Sequence, residues 1–144
     1  MSKSFLVDTT LCTACRGCQV ACKQWHDLPA EETVNRGSYQ NPADLSFDTY
    51  KLVRMREEII DGKLRWLFFP DQCRHCMEPP CEATAGEPTA IFTEAASGAV
   101  IYTANTRGLD AADIRESCPY DIPRKAEDGT IAKCDMCSDR VDRK

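Results

Sequence analysis

Val7-Asp8-Thr9-Thr10-Leu11-Cys12-Thr13-Ala14-Cys15-Arg16-Gly17-Cys18-Gln19-Val20-Ala21-Cys22 is the stretch on which the reading of this chain turns. Its cysteines are spaced C-x2-C-x2-C-x3-C. Three thiolates at successive two-residue gaps wrap one loop around a compact centre and aim at one point. Further along, Cys73, Cys76 and Cys81 form C-x2-C-x4-C, Cys118 is followed by Pro119, and Cys134 and Cys137 form another C-x2-C. Ten of 144 residues are cysteine, far above ordinary usage.

Three chemistries use cysteine at this density. A disulfide between Cys12 and Cys15 would be strained and needs an oxidising compartment. Zinc knuckles use two C-x2-C pairs, or one pair with a distant His pair, to build a single tetrahedron. Iron–sulfur cubanes take three corners from one loop and a fourth from elsewhere, and in two-cluster ferredoxins the last Cys of such a run ligates the other cluster. The first run favours iron–sulfur. Cys134 and Cys137 alone would suit zinc equally well.

The remaining composition narrows the field. The chain has a mass of 16.1 kDa and a formal charge of −5, from 18 Lys+Arg against 23 Asp+Glu. That balance argues against a nucleic-acid partner, which calls for a basic face. The longest apolar runs, such as Trp66-Leu67-Phe68-Phe69, are far shorter than the roughly twenty residues of a membrane span. The start lacks an apolar signal region and a twin-Arg pair, so this chain is not expected to direct its own export.

Local signals predict an α+β arrangement of short helices and hairpins around ligand loops. Cys18 to Trp25 reads as a short helix, and Leu28 to Phe47 as irregular. Tyr50–Ile60 and Lys63–Phe69 flank Asp61-Gly62, a hairpin signal, with Pro70 ending the second strand. A second hairpin is expected from Ala90–Thr93 and Ala99–Thr103. Leu109 to Ser117 reads as a helix with Asp110 as N-cap, ending at Cys118-Pro119. Cys134 to Arg140 is a further ligand segment.

At this point the residues resemble a known family. Val7 to Trp25 is similar to the first motif of the ferredoxin-like electron-transfer subunits that partner molybdopterin oxidoreductases. Cys73-Arg-His-Cys76-Met-Glu-Pro-Pro-Cys81 resembles the second motif, Cys118-Pro-Tyr-Asp-Ile-Pro-Arg124 the end of the third, and Lys133-Cys134-Asp-Met-Cys137-Ser-Asp-Arg140 the start of the fourth. Within that family the exit Cys22-Lys-Gln-Trp-His26 and the approach Trp66-Leu-Phe-Phe-Pro-Asp-Gln-Cys73 resemble most the small (beta) subunit of tungsten- or molybdenum-dependent formate dehydrogenases of sulfate-reducing bacteria. The resemblance implies a ferredoxin-like fold of the bacterial polyferredoxin type over residues 1–144, with an insertion at 28–69.

The family pattern holds four clusters on sixteen cysteines, shared crosswise between motifs one and four and between motifs two and three. This chain departs from it in an ordered way. The fourth ligand of motif two would fall at Ala85, and the first three of motif three at Gly108, Ala111 and Ile114. Those four ligands all belong to one cluster, so the resemblance implies three [4Fe–4S] clusters. Cluster A would take Cys12, Cys15 and Cys18; cluster B, Cys73, Cys76, Cys81 and Cys118; cluster C, Cys22, Cys134 and Cys137. A and C would each need one further Cys past residue 144, and the sequence is expected to be truncated at its C-terminus.

The resemblance further implies no catalytic residue here, a large partner subunit carrying a tungsten or molybdenum bis-pterin cofactor, and an external acceptor such as a cytochrome c. It implies a periplasmic location reached with a signal-bearing partner, a cytoplasmic one being the alternative. The competing readings are the same carrier in another molybdopterin oxidoreductase, a stand-alone ferredoxin, and a zinc-stabilised interaction module. Among neighbouring residues, His75 is expected beside cluster B, not ligating it. Trp25 and Trp66 are expected as shielding core, Met77 and Met136 as packing, His26 as packed or solvent-facing, and Lys23, Lys125 and Lys133 as solvated.

Overall fold

A computed structural model describes residues 3–141. The chain forms two compact units, one spanning Leu6–Gln72 and the other running from Cys73 onward together with residues 3–5.

In the first unit the ligand loop runs into helix α1 (Gly17–Trp25), as the sequence predicts. No regular element follows until β1 (Leu52–Ile60), which pairs antiparallel with β2 (Lys63–Asp71). The turn between them places Asp61 at φ 52° and Gly62 at φ 69°. Two successive left-handed residues make the tight turn whose twist suits a two-stranded ribbon. Pro70 does not end the ribbon, contrary to expectation: it sits within β2 opposite Val53. In a two-stranded ribbon every strand has an open edge, so a residue without N–H is tolerated there.

The intervening stretch holds few apolar residues and is tied down by polar groups. Gln19, buried on α1, donates from Nε2 to the Asn41 carbonyl at 2.9 Å and accepts from the Val53 amide at 3.1 Å. Lys23 is not solvated as expected. Its ammonium donates to the carbonyls of Pro29 at 2.8 Å and Asp48 at 2.6 Å, and pairs with Glu31 at 3.6 Å. Leu45, Leu52 and Val53 are the buried apolar residues of this unit, and the ribbon becomes exposed toward its turn. Trp25 and Trp66 are correspondingly exposed, not core. Trp66 lies against Tyr39 and Phe68, and His26 packs on the Tyr50 ring, centroids 5.4 Å apart.

The second unit repeats a helix-then-ribbon pattern. Helix α2 (Pro80–Ala85) leads to β3 (Ile91–Thr93) paired with β4 (Val100–Tyr102). A 3-10 turn (Ala104–Gly108) and α3 (Ala111–Glu116) lead past Cys118 to β5 (Arg124–Lys125) paired with β6 (Ile131–Ala132), and α4 (Ser138–Val141) follows. Pro80 takes the first turn of α2, where its missing N–H costs nothing. Asp110 caps α3, accepting from Ala112 N–H at 2.8 Å and Asp113 N–H at 3.4 Å. Asp110→Ala is expected to destabilise this unit by about 1 kcal/mol, read as a lower Tm of the iron-loaded protein, with Asp110→Asn close to wild type.

Ile91, Val100, Ile114 and Ile131 form the core of this unit with Ala90 and Cys81; Ala85, Leu109 and Ala111 pack on its edge. Three of the four positions where the family pattern would place another cluster's ligands therefore belong to an aliphatic core. Ile114 sits in it at 2% exposure, with Ala85 and Ala111 against it. Met77 is exposed, against the packing role expected of it, whereas Met136 is buried.

Candidate iron–sulfur centre

Three of the C-x2-C loops share a left-handed residue at one position. The second residue after the leading cysteine is left-handed in each: Ala14 at φ 55°, His75 at φ 48° and Met136 at φ 64°. None is glycine, so each carries a steric cost. The bend turns backbone N–H groups inward toward sulfur. His75 N–H points at Cys73 Sγ at 3.4 Å, and Met136 N–H at Cys134 Sγ at 3.4 Å. Amides curled in this way make a concavity suited to a negatively charged occupant, and hydrogen bonds to sulfur tune cluster potential.

The second unit brings Cys73, Cys76, Cys81 and Cys118 around one cavity. Cys73 and Cys76 come from the loop before α2, Cys81 from its first turn, and Cys118 from the segment after α3. All four are unbridged thiols. The rest of the wall includes Pro79, Pro80, Pro119, Pro123, Val100 and Ile122, which present almost no hydrogen-bonding groups. Burial pushes the Cys76 and Cys81 thiols up, and the sulfurs of Cys73 and Cys118 add to the rise. Four sulfurs so close in a dry cavity would repel one another once deprotonated. Cationic iron relieves that repulsion and holds the sulfurs as thiolates. The four-thiol donor set and the His75 amide turned toward Cys73 Sγ fit a [4Fe–4S] cluster.

Sequence reasoning missed three features of the surroundings. The Nδ1 of His75 accepts from the Val100 amide at 3.0 Å, leaving Nε2 buried with no partner among the described residues. Burial and the charge of Lys133 lower the His75 pKa to about 3. This is a neutral imidazole with Nδ1 already engaged. Tyr102 directs its hydroxyl at the Cys81 sulfur, outside good hydrogen-bonding geometry, and it too is buried without a partner. Lys133, expected in solvent, is buried at 6% exposure and lines the cavity. Only its place next to Cys134 pointed to it in the sequence. Lys125 is exposed, as expected.

The other predicted ligands divide between the units. Cys12 and Cys22 are half-buried and Cys15 and Cys18 exposed in the first; Cys134 is buried and Cys137 half-buried in the second.

Residues 64–144 match the model of a 4Fe-4S dicluster domain. Over 98% of its length the chain is 60% identical to "Formate dehydrogenase subunit beta" of Megalodesulfovibrio gigas, covering 67% of that protein. It is 51% identical over 98% of its length to "Formate dehydrogenase 2 subunit beta (cytochrome c-553)" of Nitratidesulfovibrio vulgaris, covering 68% of it. To the iron-sulfur subunit of the nitrate-inducible formate dehydrogenase of Escherichia coli it is 37% identical over 94% of its length, covering 46%. With its α+β fold and four-thiol cavity, the protein is an iron–sulfur electron-transfer subunit with a 4Fe-4S domain. It belongs to the family of formate dehydrogenase beta, or iron–sulfur, subunits.

Proposed function

We propose that this chain carries electrons between a formate-oxidising catalytic subunit holding a tungsten or molybdenum bis-pterin cofactor and an external acceptor such as a cytochrome c. The observation that carries the reading is the dry cavity lined by Cys73, Cys76, Cys81 and Cys118, taken with the family. A [4Fe–4S] cluster, when bound, takes up and releases one electron at a time with little rearrangement. The chain's own part is to hold it. Cys73, Cys76 and Cys81 grip it from one half of the unit and Cys118 from the other, while the prolines exclude water.

Two further clusters are proposed, one on Cys12, Cys15 and Cys18 and one on Cys22, Cys134 and Cys137, each completed by a cysteine outside these 144 residues. The aliphatic core around Ile114 supports three clusters over four, because the fourth site's place is taken by packed methyl groups. Ile114→Cys is expected to add no iron and to lower stability, checked by iron per chain and by Tm. The exposed apolar end of the ribbon, with Ile59, Leu64, Trp66 and Leu67, is the surface we propose the catalytic subunit covers. The proposed location is the periplasm, tested by fractionating cells after tagging the catalytic partner.

The reading as a whole is tested by iron, zinc and acid-labile sulfide per chain in the anaerobically purified complex. The expected result is about twelve irons on this subunit with matching sulfide. Zinc without sulfide would overturn it and leave a structural module.

A further inference from the structure

Lys133 is a cation where the protein has little else polar. Its ammonium donates to the Val100 carbonyl at 2.5 Å and to the Cys134 carbonyl at 2.9 Å. It lies 4.6 Å from the centroid of the Tyr102 ring. Two fixed acceptors and an aromatic face occupy the three N–H donors, so the charge is held in one place. The side chain lines the same cavity as Cys73, Cys76, Cys81 and Cys118. Arg74 also lines it, but is exposed and sits over the Tyr120 ring. Water screens Arg74 and does not reach Lys133.

Burying a lysine is costly unless it is paired, and no carboxylate pairs with this one among the described residues. Two carbonyls and a ring compensate it in part. A negatively charged occupant of the cavity would complete the compensation.

We propose that Lys133 sets the reduction potential of the cluster held by Cys73, Cys76, Cys81 and Cys118, raising it by stabilising the reduced form. The inference rests on the cluster reading above. An oxidised [4Fe–4S] centre with four thiolates carries about two negative charges, and one added electron makes about three. A fixed positive charge favours the more negative form, and low dielectric strengthens the preference. Lys133 neither ligates the cluster nor transfers a proton; it is a positioning charge.

The test is an EPR-monitored redox titration of the complete, iron-loaded complex, comparing wild type with Lys133→Gln, Lys133→Met and Lys133→Arg. Gln keeps N–H donors for the two carbonyls and removes the charge; Arg keeps the charge. The expected result is a fall of about tenfold or more in the reduction equilibrium constant of one cluster in the Gln variant, equivalent to about 59 mV per tenfold for a one-electron couple. Arg should stay near wild type, and iron per chain should be unchanged. An unchanged potential in a fully loaded Gln variant would overturn the proposal, as would equal falls in Gln and Arg. Loss of the cluster from both Gln and Met would also overturn it, by making Lys133 a packing residue. Absence of iron and sulfide from the wild type is a separate outcome that defeats the cluster reading itself.

Discussion

Cys118→Ser should strip one whole cluster from the protein. The expected loss is about four irons and four sulfides per chain, together with collapse of electron flow to the external acceptor. The size of the effect follows from the cavity. Cys118 is the one thiol there that comes from the second helix-then-ribbon half, and the wall opposite offers prolines in place of donors. A serine hydroxyl is a poor replacement for a thiolate on iron. Three remaining thiols, two of them already raised by burial and neighbouring sulfur charge, leave one iron corner without a ligand in a cavity that excludes solvent. Substituting the exposed Met77 by Ala, only one residue past Cys76, should leave iron content untouched. Iron, sulfide and the visible spectrum measured on both variants decide the matter. Unchanged iron in Cys118→Ser would show that the cavity is not the site.

Ile114→Ala should cost about 2–5 kcal/mol. Ile114 is 2% exposed and packs in one cluster with Ile91, Val100 and Ile131, so its removed methylenes leave a void that neighbours from two helices and two ribbons cannot all close. The same core includes Cys81. Loosening it should therefore release iron at a lower temperature, before the ribbon of the first unit melts. Following the visible absorption during a thermal ramp gives the first event and far-UV circular dichroism the second. A variant that kept its iron to the wild-type temperature would mean that the core and the ligand cage are energetically separate.

The ligand loops were readable because cluster chemistry constrains neighbours in sequence: a C-x2-C spacing is a local geometric demand, and Ala14, His75 and Met136 satisfy it with the same bend. The first hairpin was readable through Asp61-Gly62, and α3 through Asp110. Helix α2 was not, because six residues opening on a proline carry no periodicity to detect. The two-residue strands β5 and β6 lie below any pattern's reach; the Thr106 hydroxyl, which accepts from Ile131 N–H at 3.0 Å, steadies the second of them. Lys133 illustrates the deeper obstacle. Hydropathy sends a lysine to water, and the partners that let it be buried include a carbonyl 33 residues away at Val100 and the Tyr102 ring. Pro70 misled for a related reason: proline breaks interior strands, and nothing local told that this ribbon has no third member.

Both tryptophans of the chain, Trp25 and Trp66, lie in the Leu6–Gln72 unit, and both are open to solvent. Their emission therefore reports on that unit alone. The unit beginning at Cys73 has no indole, but the four-thiol cavity supplies its own chromophore once iron is bound. A single cuvette thus holds two optical channels, ultraviolet fluorescence for the Leu6–Gln72 unit and brown charge-transfer colour for the bound clusters. Whether that unit loosens before the clusters are lost can be read without attaching a label.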